Sequence, residues 1–396
     1  MKINKINIFS FVLMFINIFL SLPILILNIY RKKESIFLIS LFLAILGFYF
    51  IPATEGYDIA NYYKIFDNQS LQENMSNYHN DFYAEYLIKF LIYMNLPKNF
   101  LAFTSAFISY YFLLKSYTIV INKNNISKIS YIFLFFFTYI SIPIIGYTGV
   151  RFLPATAIFT FAVLNKKKWI RLFFPIVSIL IHSSFLLCTF LFYFCIFFCR
   201  KKRRLYIFFI IFSFILGILL NEKVILEIIR KINELDVIYI SPGTYISGKW
   251  GAGFIESRGS YISKVTNYIF WGLKILLLVY SNILFYRIKF NQKNFVLNNF
   301  ILSLSCFCLI FYRYFTIFDR FSNVIIVIIY FIFIPKYLIK KYKYNILGSL
   351  FFIYFFLSLL YDLKRYYLCF YISYSNLIKI SIFNILVKVL ENYFYI

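Results

Sequence analysis

Residues 146–188 read GYTGVRFLPATAIFTFAVLNKKKWIRLFFPIVSILIHSSFLLC. Arg151 heads an apolar run that stops at Lys166, Lys167 and Lys168, and a second run starts after Arg171 and ends on His182. A helix rises about 1.5 Å per residue, so the descent from Arg151 to Asn165 and the climb from Trp169 to His182 match at roughly 20 Å each. A basic turn belongs on the cytoplasmic side of a membrane. The stretch is therefore expected to form a helical hairpin that brings Arg151 and His182 to one depth, toward the outer face. A hydrocarbon core is about 30 Å thick, which places both residues below the outer surface. An Arg beside a His at such depth is costly and marks a site.

The rest of the chain has the same character. It has 396 residues, is 62% apolar and 24% aromatic, and its apolar runs are broken by short basic clusters. In lipid every backbone polar group needs an internal partner, so only helices or closed barrels span. These runs are continuous and lack the ten-residue alternation of a barrel. The fold class is an all-α polytopic membrane protein. A net charge of +26 fits basic cytoplasmic loops and not a nucleic-acid partner. Cys188, Cys195, Cys199, Cys306, Cys308 and Cys369 lie in apolar runs without ligand spacing, so they read as small buried hydrophobes. His79 and His182 are the two histidines, too few for a His-based metal cluster. No metal and no cofactor is expected, and no phosphate-binding or dinucleotide fingerprint is present.

Hydropathy predicts twelve spans, near 8–30, 36–53, 99–121, 128–146, 151–165, 169–182, 185–199, 205–220, 265–286, 295–313, 321–335 and 346–361. The 8–30 run is too long for a signal segment and is expected to be retained. The run 172–199 is read as two spans turning at His182-Ser183-Ser184. With both termini outside, every basic cluster falls in the cytoplasm. Of the fifteen acids, only Glu34 then lies in an inner loop. Carboxylates gathered on one face point to ligand handling there. Residues 54–98 and 221–264 are the long outer segments. Two stretches within them, 82–94 and 222–235, carry apolar residues at helical spacing and are too short to span, so they are expected to lie in the interface. Asp81 is placed to cap the first, and Glu85 and Lys89 form an i,i+4 pair.

Several residues have chemistry to offer on that face. Guanidinium groups grip phosphate oxygens in bidentate fashion. Arg151 and Arg320 each open an apolar run at its outer end, Arg313 stands in the same corner as Arg320, and Asp319 is placed to orient Arg320. His182 serves as a general base or a hydrogen-bond donor. Asp58 and Glu85 are outer carboxylates that could act as a base. Lys274 falls near the middle of an apolar run and needs a cavity or a partner, which makes it a candidate for phosphate contact. Trp250, Tyr245 and Tyr261 are available to stack on sugar rings.

At these residues a resemblance becomes visible. GVRFLPATAIFTFAV, the Lys turn and FPIVSILIHSS resemble the central signature of the EpsG family of bacterial polysaccharide biosynthesis proteins. GYDIANYYKIF, with Gly56, Asp58 and Tyr62, resembles its Gly-x-Asp-x-x-x-Tyr element, and FYAEYLIKFLIYMNL resembles the outer helix that follows. DRFSNVIIVIIYFIFIP resembles its late Arg-headed span. Phe152 stands where the family usually has Gln, and Phe50-Ile51-Pro52 where it usually has an Arg.

The resemblance implies a polymerase of O-antigen or capsule type in the bacterial inner membrane, similar in architecture to C-type glycosyltransferases. Its donor would be a glycan on undecaprenyl diphosphate, its acceptor another lipid-linked repeat unit, and its surroundings membrane lipid and a chain-length regulator. Arg151 and Arg320 would hold the diphosphate, with Tyr62 and Trp250 among the substrate contacts. His182, Asp58 or Glu85 would take the acceptor proton. The rivals are an O-antigen ligase, a flippase or transporter of the lipid-linked glycan, and a membrane acyltransferase. The topology predicts that a cysteine placed at Asn68 or Gly248 reacts with an impermeant reagent from outside and one at Lys202 does not. Outside labelling at 202 would refute it.

Overall fold

The computed structural model describes residues 5–30, 35–49, 58–68, 82–121, 150–197, 206–220, 222–233, 261–287, 295–339, 345–369 and 380–394. Among them are sixteen helices and no strand. In chain order these are α1 (Lys5–Ile16), α2 (Ile18–Tyr30), α3 (Ile36–Phe48), α4 (Asp58–Asp67), α5 (Phe82–Tyr93), α6 (Phe100–Ile121), α7 (Phe152–Leu164) and α8 (Lys168–Ile181). There follow α9 (Phe185–Phe197), α10 (Tyr206–Leu219), α11 (Glu222–Asn233), α12 (Tyr261–Arg287), α13 (Phe295–Ile310), α14 (Phe315–Ile339), α15 (Asn345–Cys369) and α16 (Ile382–Phe394). The chain divides into two compact units. One comprises Met1–Leu186, Ile334–Lys341 and Phe355–Ile396, the other Leu187–Phe333 and Tyr342–Tyr354.

Two segments, Lys264–Leu284 and Phe315–Phe333, are long and apolar enough to cross a membrane. Eight further apolar helices are shorter, among them Phe152–Leu164 and Phe185–Phe197. A 13-residue helix rises about 20 Å, less than a hydrocarbon core of roughly 30 Å. Length and apolar composition together therefore single out two candidate crossings among the described residues, beside a set of shorter apolar helices. The expected span at 128–146 lies outside the described residues. Many helices turn large apolar side chains outward; on α10, Phe208, Ile211, Ile215 and Leu219 are exposed. Such outward faces suit lipid and not water. The protein is an all-α membrane protein.

The first unit is built on α6, which packs against α3 and α7, with α8 packed on α7. Small residues set the α3–α6 approach, since a Cβ on Gly47 would lie 3.0 Å from the Ala106 Cβ. Phe112, Phe161 and Phe174 meet pairwise at 5.3–5.7 Å and tie α6, α7 and α8 together.

The expected single span at 8–30 is instead a hairpin. Asn17 breaks the helix because its Oδ1 accepts the Phe19 N–H at 2.8 Å and so caps α2. The Ile18 N–H goes to the Ile380 carbonyl at 3.0 Å. The arms then run back together: Asn28 donates to Asn7 at 3.2 Å, and Ser35 donates to Asn7 at 2.9 Å. Lys5 consequently comes to the same end of the unit as Ser35.

Residues 58–67, expected as loop, are helical. Ile59, Tyr62 and Ile65 are buried at three-residue spacing while Asn61, Lys64 and Asp67 stay exposed. Helix α5 forms as expected, burying Ala84, Ile88 and Leu91 and exposing Phe82, Tyr86, Phe90 and Tyr93. The run 172–199 breaks where expected, with His182 closing α8 and Phe185 opening α9.

In the second unit α10 packs on α12 and α13. Amphipathic α11 buries Ile225 against Tyr314, with Phe311 and Ile317 around them. A Cβ on Gly217 would fall 2.5 Å from the Leu309 carbonyl oxygen and 2.9 Å from that of Ile310, so α10 crosses α13 in backbone contact. Gly217→Ala must force the helices apart and is predicted to destabilise the protein by about 1–3 kcal/mol, read as lowered thermal stability of the purified protein in detergent. An unchanged melting temperature would contradict this packing.

Candidate functional site

The first candidate cluster forms where α7 begins. Arg151 is the N-cap of α7, and its guanidinium carbon lies 5.5 Å from the ring centroid of Tyr62 on α4. Tyr62 is buried, so its ring is a fixed platform for a partly exposed cation. Helix N-termini favour anions, and a guanidinium at one adds to that field.

Helix α4 is itself held. Lys98 donates to Asp67 at 2.6 Å and lies 5.6 Å from the Tyr63 ring centroid. Burial raises the Tyr63 phenol pKa, which keeps it neutral.

The hairpin register brings the far end of α8 to the same level. The Phe152 ring meets the His182 ring edge-on at 5.7 Å, and Phe185 packs on Phe152 and Phe159 at 5.5 and 5.6 Å. His182 is buried, with extended backbone, and its N–H bonds the Ser178 carbonyl at 2.9 Å. The Ser184 backbone N–H lies 3.3 Å from its Nδ1. An amide can only donate, so Nδ1 accepts and the ring proton belongs on Nε2. That tautomer makes His182 a donor in preference to a base.

Of the carboxylates expected as a base, only Glu85 has its side chain among the described residues. Glu85 pairs with Lys89 at 2.5 Å, as its spacing predicted. Asp58 is the first residue of α4, and its side chain lies outside the described residues, as do Asp81, Tyr245 and Trp250.

The second cluster belongs to the other unit. The Lys274 side chain is 6% exposed on α12 and is ion-paired with Asp319 on α14, whose side chain is 37% exposed. Lys274 also donates to Asn323 Oδ1 at 2.7 Å, and Asn323 Nδ2 donates to Asp319 at 3.3 Å. The Tyr354 hydroxyl reaches Asn323 Oδ1 at 3.5 Å. Asp319, expected beside Arg320, is also the counter-ion of Lys274. Without it an ammonium in an apolar helix would be untenable.

Arg320 stands in the second turn of α14, which begins at Phe315, and not at its head. Arg313 is exposed in the preceding turn, donating from Nε to the Tyr312 hydroxyl at 3.3 Å. Trp271 stacks on Tyr312 at 5.7 Å and donates to its carbonyl at 3.0 Å.

Sequence reasoning missed Trp271, Asp319 as an acceptor, Asn323 and the Asp67–Lys98 pair. Trp271 and Lys274 at i,i+3, with Asp319 and Asn323 at i,i+4, were the available signals. Among the described residues no group of three or more His, Cys, Asp or Glu could hold a metal.

The model of the EpsG family matches residues 53–378. No curated protein and no solved structure matches the chain. The match covers most of the sequence, and the chain belongs to the EpsG family. If the Arg151–Tyr62 contact is energetic, a double-mutant cycle with Arg151→Gln and Tyr62→Leu will show a coupling of about 1 kcal/mol in unfolding of the purified protein. Additive effects would refute it.

Proposed function

We propose that this member of the EpsG family is a polysaccharide polymerase of the bacterial inner membrane, joining undecaprenyl-diphosphate-linked repeat units of O-antigen or capsule type by glycosyl transfer at the outer face. The observation that carries the reading is Arg151, a cation braced on Tyr62 at the start of an apolar helix, within a chain of this family.

In the reaction the bond between the donor's anomeric carbon and the diphosphate oxygen breaks. The acceptor hydroxyl oxygen bonds that carbon and releases its proton. Charge develops on the diphosphate, so fixed cations and donors aimed there lower the barrier. Polymerisation handles two lipid-linked substrates, and each presents a diphosphate. Arg151 in one unit and Arg320 with Arg313 in the other are assigned to diphosphate oxygens. His182, protonated on Nε2, donates to a substrate oxygen. Asp58 is the better base of the two outer carboxylates, since Glu85 is already bound to Lys89. Lys274, Tyr62 and Trp250 serve substrate binding, with a chain-length regulator as the protein partner. With the 8–30 hairpin set apart, eleven of the twelve expected passes remain, and an odd number starting from a cytoplasmic 31–33 still gives an outer C-terminus.

The test compares Lys and Ala replacements. An ammonium lacks the planar fork, so Arg151→Lys and Arg320→Lys should lose about 10²–10³ in rate, roughly 2–4 kcal/mol. Cells carrying either should keep the protein in the membrane and accumulate single repeat units. Normal-length glycan at normal protein level from both Lys variants would refute the assignment.

A further inference from the structure

The geometry points to a sugar-binding subsite in the second unit, formed by Asn267, Trp271 and Lys274 of α12 with Asp319 and Asn323 of α14, which takes the uncharged hydroxyls of a glycan. It rests on the polymerase reading for the identity of that glycan, a repeat unit.

Asn267, Trp271 and Lys274 are spaced i, i+4, i+7 and so share one face of α12. Asn267 is 9% exposed, and its amide nitrogen has no hydrogen-bond partner among the described residues. A buried donor left unsatisfied is costly, and a ligand oxygen would relieve that cost. Asp319 keeps 37% of its side chain exposed while Lys274 and Asn323 hold it from the inside. It thus offers acceptor capacity in a fixed direction. Trp271 is partly exposed and locked by Tyr312, a rigid apolar surface beside the polar groups. Donors, acceptors and one aromatic face together suit a polyhydroxylated ring.

Charge decides against phosphate. Lys274 and Asp319 cancel, so an anion entering the nest gains no net attraction and meets a carboxylate. Arg313 and Arg320 stand on either side of Asp319 in sequence and are the cations assigned above to diphosphate. They take the diphosphate, and the nest takes the sugar joined to it. Both ionisable members lie in the two segments able to cross a membrane, where a charged pair by default marks function and not surface solvation.

The alternative is that the pair only holds α12 to α14. A buried ion pair can be replaced by apolar residues at little cost to stability, which separates the two cases. The experiment uses the full chain in lipid nanodiscs. The probe is the oligosaccharide released by mild acid from lipid-linked repeat units, fluorescently labelled and followed by anisotropy, with inorganic pyrophosphate in a parallel titration. The double variant Lys274→Met/Asp319→Leu should remain folded and bind the oligosaccharide at least about tenfold more weakly, with pyrophosphate affinity unchanged. Asn267→Leu, which removes an unsatisfied donor and leaves the pair intact, should fold at least as well and also weaken the oligosaccharide alone. Oligosaccharide affinity equal to wild type in both variants overturns the inference, as does a loss confined to pyrophosphate or no binding by the wild-type protein. Because the readout needs no polymerisation, a protein that binds the oligosaccharide but makes no polymer would count against the polymerase reading and not against the subsite.

Discussion

An ammonium group half-way along an apolar helix dictates what must surround it. Lys274 sits inside a segment able to cross a membrane, where an unpaired charge costs several kcal/mol. Its side chain is almost fully buried, so water cannot serve as its partner. The second unit answers with Asp319 and Asn323 from one helix and Tyr354 from another. That requirement fixes the rotation of α14 against α12, because Asp319 and Asn323 are one turn apart and must both face Lys274. The same rotation sets the direction from which Arg320, on α14, can act. A polar nest of this kind is demanding, since each partner lost leaves a buried group unsatisfied.

The first unit answers a different constraint. The Lys-rich turn at 166–168 ties two helices of similar length, so their far ends meet by geometry alone. Phe152 against His182 is the direct sign of that register. Arg151 is then presented at a helix start with Tyr62 beneath it, and α4, which carries Tyr62, is pinned by Asp67 and Lys98. Exposed pairs of this sort contribute little to stability; the effect of this one lies in fixing α4 where Arg151 needs a platform.

The helical class, the break at His182-Ser183-Ser184, the meeting of Arg151's helix with His182 and the short helices at Phe82–Tyr93 and Glu222–Asn233 were all legible in the sequence, because period and apolar length encode them directly. The hairpin at 5–30 was not. Its cause is one capping side chain, Asn17, and a long-range backbone bond to Ile380, and hydropathy registers neither. Helix α4 was hidden by its polar outer face. Asp319 was read only beside its sequence neighbour Arg320, and its ion pair with Lys274 on another helix was missed, as pairing across helices leaves no mark on local spacing. Lys274 was recognised as needing a partner, and the structure supplies one in a form that changes its meaning from isolated cation to half of a neutral nest.

The polymerase proposed above needs no second enzyme to join lipid-linked repeat units. Purified protein in nanodiscs, given undecaprenyl-diphosphate-linked repeat units alone, should produce a ladder of lipid-linked products of two, three and more repeats. Repeat units that remain single while crossing the bilayer, or that move onto a lipid A core acceptor without chaining, would contradict it.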